Sequence, residues 1–365
     1  MDPTDAEASA LARLASAGTA VWLDAATRAH ARSGRLASYA LDGVSGITTS
    51  PQALAAAIRQ DHTYATDLAA LAETGAGPAE AAAVLAADDA REACDVLRGI
   101  FDASAGRNGW VTVPIDPRLA RDTERTLRAV RSMRALVDRP NVLVAIPATK
   151  QGIYAILAAV AEGISVTATT VFSRDRFRAV QLAYLEGLER AELAGRDLAT
   201  IASFVTLPLA PIEAAVASAR SDQPATALGT QVPGALAVLA YAGYEAHRPR
   251  PRWQALAASG ARPQRPVWTS IGADAAQTAA RAGDLVGRGA VLALDEQALA
   301  VVRSATSIGA DTVHEQYGQA QRVLDEAERA GLGLEQIAAS LHADAVARDA
   351  ASWDEMLSSV SQPPR

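Results

Sequence analysis

The only lysine among the 365 residues, Lys150, falls in the stretch NVLVAIPATKQG, Asn141 to Gly152, where a buried strand gives way to a helix. Asn141 to Ile146 is short, apolar and largely β-branched, the pattern of a parallel strand covered on both faces. Pro147 closes it, Thr149 is placed to cap the next helix, and Gly152 lies in that helix's first turn. Reactive groups belong at such a seam. Alternate residues of a strand share a face, so Ala145 points inward near the carboxyl end, where its methyl group does no chemistry.

Other candidates lie at comparable strand ends. Asp24 closes a strand and is either an acid–base group or a carboxylate fixing a loop hydrogen bond. Thr167, Thr169 and Ser203 form a hydroxyl set that either orients a polyol or amide ligand or bonds backbone carbonyls. Asp116 and Arg118, in IDPRL, serve a ligand or a structural turn, and Trp268 is a ligand wall or core packing. The catalytic candidates are Asp24, Thr169 and Lys150. The substrate-binding candidates are Ser50, Asp116, Thr149, Thr167, Ser203, Trp268, Ser270 and Asp274.

Composition narrows the classes of function. The residues are 50% hydrophobic and 21% charged with net charge −7, which describes a soluble globular chain and argues against a nucleic-acid partner. The one cysteine, Cys94, forms no internal disulfide and fits a reducing compartment. The N-terminus MDPTDAEASALARL carries no export signal, no apolar run reaches a membrane span, and the expected location is the cytoplasm. The histidines, His30, His62, His247, His314 and His342, show no metal-ligand spacing, and no glycine-rich phosphate or dinucleotide loop follows a strand. No metal and no cofactor is expected; the partner is a small-molecule metabolite, with oligomeric state open.

Strand and helix alternate along the chain. Strands are expected at Thr19 to Asp24, Val44 to Thr49, Gly109 to Asp116, Asn141 to Ile146, Ile164 to Phe172, Ile201 to Thr206, Pro266 to Ile271 and Gly289 to Leu294. Helical patterns cover residues 2 to 17, the run Pro51 to Ser104 broken at Gly75, Gly77 and Pro78, and much of the chain from 295 to Ser359. Eight such alternations favour an α/β fold, a single (β/α)₈ TIM barrel with extra helices spanning residues 1–365 as one domain.

Several stretches then resemble one family. VWLDAATRAHARSGRL from Val21, GITTSP from Gly46, DAREACDVLRGIFDA from Asp89, IDPRLARDTERT from Ile115 and VDRPNVLVAIPAT from Val137 are similar to the long transaldolases of actinobacteria. GISVTATTVFS from Gly163, AYLEGLERAELAGRDL from Ala183 and QRPVW from Gln264 extend the likeness. The resemblance implies a barrel transferring a three-carbon dihydroxyacetone unit between phosphorylated sugars, carried as a lysine imine. It keeps Asp24 and Thr169, and puts Ala145 where the imine lysine belongs, Pro114 for the proton-shuttling carboxylate, and Ser50 and Thr167 for two asparagines. It also puts Pro208 and Asp274 where cations would hold phosphate. These departures raise the expectation of a repurposed enzyme of specialised metabolism, working on a non-phosphorylated metabolite without an imine. The alternatives are a silent member that binds a ligand or partner, and a true transaldolase using Lys150.

Overall fold

The computed structural model describes residues 9–219, 227–305 and 311–362. Eight parallel strands run β1 Ala20–Leu23, β2 Val44–Thr48, β3 Trp110–Pro114, β4 Val142–Pro147, β5 Val166–Thr169, β6 Ser203–Pro208, β7 Arg265–Thr269 and β8 Val291–Leu294. They pair in chain order into a closed barrel, and β1 meets β8 in register from Ala20 opposite Val291 to Leu23 opposite Leu294. The fold is the expected (β/α)₈ barrel. Closure leaves no sheet edge, so the short β-branched strands are hydrogen-bonded on both sides and covered by helices outside.

Side-chain alternation divides the core in two. Trp22, Trp110, Leu143, Phe204 and Val267 are among the residues that fill the barrel, with Trp22 against Phe204 at a ring-centroid distance of 4.8 Å. The residues of the opposite phase, Val21, Val111, Val144, Val205 and Trp268 among them, pack outward against the helices. Gly46 makes room for the plug, since a Cβ there would lie 2.5 Å from Nε1 of Trp22.

Element ends shift for local reasons. The fifth strand, expected to Phe172, stops at Thr169 because Thr170 takes a left-handed φ of 59°, costly for a β-branched residue. The long helical run also breaks at Asp61, whose side chain accepts from the Thr63 N–H at 2.9 Å. The helix expected over 2–17 is Ala10–Ser16 within the described residues, and residues 2–8 of that span lie outside them. Among the described residues the C-terminal stretch forms three α-helices, Glu296–Ser304, Tyr317–Arg329 and Leu334–Ser361; the last two are separated at Gly331 and Gly333, both at positive φ. Residues 306–310 and 363–365 lie outside the described residues.

The helix Leu334–Ser361 is the element that finishes the carboxyl end. It packs on the helices Pro51–Gln60 and Leu209–Ser218, which follow β2 and β6, and on the turn Pro117–Leu119 after β3. Its His342 Nδ1 lies 2.9 Å from the Thr170 carbonyl oxygen beyond β5, and Asp354 accepts from Arg118 at 2.8 Å. No described helix is long and apolar enough to cross a membrane.

Candidate active site

The inward alternation that begins with the aromatic plug continues up the strands and fixes the mouth. Asp24 follows Trp22, Thr48 follows Gly46, Thr112 and Pro114 follow Trp110, and Ala145 follows Leu143. The Thr48 hydroxyl donates to Oδ1 of Asp24, and the Ala25 N–H donates to the same oxygen at 3.1 Å. Burial pushes the Asp24 carboxyl above the usual aspartate range; those two hydrogen bonds pull the other way and Asp295 adds to the rise. Inside the barrel, on the two strands that flank β4, Thr112 and Thr167 share a hydrogen bond of 3.3 Å. Ala145 stands in register between Pro114 and Thr167 and is 8% exposed, so the inward position on β4 is a methyl group in an enclosed place.

Backbone geometry marks the same end. Ala25, Thr170 and Ser270, the second residue after β1 and the first after β5 and β7, are non-glycine residues at φ 55°, 59° and 47°. Left-handed residues without glycine cost of order 1–3 kcal/mol each and persist where surrounding structure holds them.

On the rim, Lys150 is the first residue of the helix Lys150–Ala161 and is exposed. Thr149 caps that helix, accepting from the Gly152 N–H at 2.8 Å and donating to the Ala120 carbonyl. Arg176, absent from the sequence-based candidates, donates to the Ala148 carbonyl at 2.5 Å and so touches the short connection that carries Lys150. Burial lowers the Arg176 guanidinium from its ordinary value, with Glu335 opposing. Nothing in SRDRFRAV distinguishes Arg176 from its arginine neighbours; only the packing of two βα connections does.

The remaining candidates scatter. Ser50 caps the helix Pro51–Gln60 and, with Asp89, Pro114, Trp353 and Met356, lines a cavity of about 20 Å³, too small for a sugar. Asp89 is held by Nε of Arg28 at 2.6 Å and the Tyr64 hydroxyl at 2.5 Å, and burial pushes its carboxyl up to about 6. Asp116 takes the Arg118 fork, with contacts down to 2.7 Å, and Asp274 accepts from the Gln277 N–H at 2.8 Å as a helix cap, while Ser270 is exposed. Two placements correct the sequence reading. Ser203 opens β6 at the opposite, amino end, where its hydroxyl accepts from Gln264 at 2.7 Å. Trp268 faces the outer helices and is fully buried, because β7 presents Val267 and Thr269 inward. The mouth therefore gathers Asp24, Thr167 and Thr169 with Lys150 on its rim, but not Ser203. Among the described residues no set of three or more metal-ligating side chains converges.

A carboxyl group raised by burial, facing hydroxyl-bearing walls with one primary amine at the rim, is a set that can exchange protons with a polyol. Residues 21–360 match the family described as Transaldolase/Fructose-6-phosphate aldolase. The chain is 41% identical over 360 residues to the transaldolase of Thermobifida fusca, covering 97% of this chain and 98% of that one. It is 40% identical over 358 residues to transaldolase 1 of Streptomyces avermitilis, covering 96% and 94%, and 39% identical over 363 residues to transaldolase 1 of Streptomyces coelicolor, covering 98% and 95%. This near full-length similarity to proteins named transaldolase overturns the expectation of a repurposed or silent barrel of specialised metabolism, which rested on a handful of mouth positions. The chain belongs to the transaldolase/fructose-6-phosphate aldolase family.

Proposed function

We propose that the protein is a working transaldolase, moving a three-carbon ketol unit between phosphorylated sugars, with the unit carried on Lys150. The observation behind this reading is the similarity to transaldolases along almost the whole barrel, at about 40% identity. Ala145 has no amine, and the chain has one lysine, so any side-chain imine must form at Lys150. Its nitrogen adds to the ketose carbonyl carbon, and loss of water leaves the imine. Asp24 takes the proton of the C4 hydroxyl as the C3–C4 bond breaks, releasing the shortened aldose and leaving an enamine on the lysine. The enamine carbon then attacks the acceptor aldehyde, whose oxygen takes the proton from Asp24, and water frees the product. Arg176, half-buried beside Ala148, is the cation this reading gives to the substrate phosphate in place of Pro208 and Asp274.

Borohydride reduction in the presence of fructose 6-phosphate, followed by peptide mass analysis, tests the proposal. The expected result is one ketose adduct on the peptide containing Lys150, with adduct and transfer both lost in Lys150→Arg. Absence of adduct and of transfer in the unmodified protein would overturn the reading, and transfer that survives Lys150→Arg would overturn the assignment of the amine.

A further inference from the structure

A larger cavity, about 540 Å³, opens at the amino end of the barrel, opposite Asp24 and Lys150. That volume is in the range of small-molecule sites. Its lining includes Arg107, Arg248, Arg262, Arg265 and Arg288, and no aspartate or glutamate. The five come from separate places at the strand starts: the connection into β3, the end of the helix Ala227–His247, the connection into β7, the first residue of β7 and the connection into β8. Elsewhere in this acidic chain arginines are commonly paired, as Arg32 with Glu92, Arg131 with Glu162 and Arg252 with Glu189. None of these five has a carboxylate within ion-pair distance among the described residues.

Existing hydrogen bonds leave the charge available. Arg265 spends its donors on neutral oxygens, the carbonyls of Gly289 at 2.8 Å and Arg107 at 2.6 Å and the Asn108 side chain at 3.1 Å. It lies over the Phe204 ring at 5.5 Å, contributing charge to the floor more than free N–H groups. Arg262 donates to the Gly106 carbonyl, and Arg107 to the Ser104 carbonyl at 3.2 Å. Arg248 and Arg288 are exposed at the cavity and their side chains make no hydrogen bond among the described residues. Burial lowers the guanidinium of Arg265 to about 10, with Arg107 adding repulsion, and lowers Arg262 in the same direction. Unneutralised cations converging on a concave, partly apolar site are unfavourable until an anion arrives.

We propose that this amino-end cavity is a second ligand site, for a small anion carrying two or more phosphate groups. One phosphate dianion is satisfied by about two guanidinium forks, and five arginines from five positions exceed that. A single carboxylate or a single sulfate brings less total charge than a ligand with two phosphate groups. The site is independent of the imine chemistry at the other end.

Calorimetry with inorganic pyrophosphate and inorganic phosphate, at low salt, provides the test. Pyrophosphate should bind one per chain and at least about tenfold more tightly than phosphate. Arg248→Gln together with Arg288→Gln should weaken pyrophosphate about 100-fold, about tenfold for each charge-assisted contact removed, while the melting temperature of the free protein does not fall, since two mutually repelling charges are gone. Asp24→Asn, at the opposite mouth, should leave the affinity unaltered. No binding at about 10 mM pyrophosphate, equal affinity for the two anions, or an affinity untouched by the double substitution would each overturn the proposal.

Discussion

Asp24 shows how one residue answers to both stability and chemistry. Its folded value lies above 3.8, the ordinary one, chiefly through burial, so the folded protein binds that proton more tightly than the unfolded chain. The sign follows: stability is greatest with Asp24 protonated, falls as pH rises from 3.8 through the raised folded value, and carries the full penalty at neutral pH. Asp24→Asn should therefore melt higher than the parent at pH 7 and much the same at pH 3, approximately. If Asp24 takes the substrate proton as proposed, the same substitution lowers the transfer rate by about 10²- to 10⁴-fold and removes an acidic limb displaced above the usual aspartate value. A gain in stability with a loss in rate marks a functional carboxylate. A lower melting temperature at neutral pH, or an unchanged rate, would contradict this role.

At the scale of the element, the helix Leu334–Ser361 is held to the mouth by contacts that respond to pH. His342 meets the Thr170 carbonyl at 2.9 Å, and its imidazole lies below the ordinary 6.5. Burial is the main cause, Arg176 and Arg121 repel the charged ring, and the bond to Thr170 works in the opposite direction. The unfolded chain takes this proton more readily, so the stabilisation is present above pH 6.5 and is lost as pH falls from there through the folded value. Melting temperature should decline across that window, and His342→Gln should flatten the decline. Equal slopes for the two proteins would show that another group governs it. Arg118, forked on Asp116 and reaching Asp354 at 2.8 Å, gives the helix a second attachment.

The barrel as a whole depends on a plug of aromatic rings, and Gly46 is where that dependence is most exposed. A Cβ at 46 would stand 2.5 Å from Nε1 and 2.6 Å from Cε2 of Trp22, which is fully buried against Phe204. Removing a glycine can stabilise by about 0.4–1 kcal/mol through the unfolded chain. Overpacking of a filled core costs typically about 1–3 kcal/mol. Overpacking wins, and Gly46→Ala should lower the melting temperature, with Trp22→Phe in the same chain restoring part of the loss. An unchanged melting temperature would mean that β1 and β2 yield more easily than the closed ladder implies.

The sequence by itself was enough for the barrel, because strand and helix announce themselves locally. Apolar β-branched runs of four to six residues, proline at Pro147, and glycine at Gly75 and Gly77 set the alternation without knowledge of any distant contact. The inward phase of β1, β4 and β5 was legible for the same reason: a period of two places Asp24, Ala145 and Thr167 together once the strands are known. Ser203, and Trp268 as a ligand wall rather than core packing, went astray because phase and strand end on β6 and β7 depend on which residues the aromatic plug admits, a matter of packing between distant strands. Arg176 beside Lys150's connection and the pairing of Asp24 with Thr48 join segments far apart in the chain, and no local pattern records such meetings. The five arginines at the amino end belong to the same class. None is distinguished from other arginines by its own segment, and only closure of the barrel sets them around one cavity with no carboxylate in its lining.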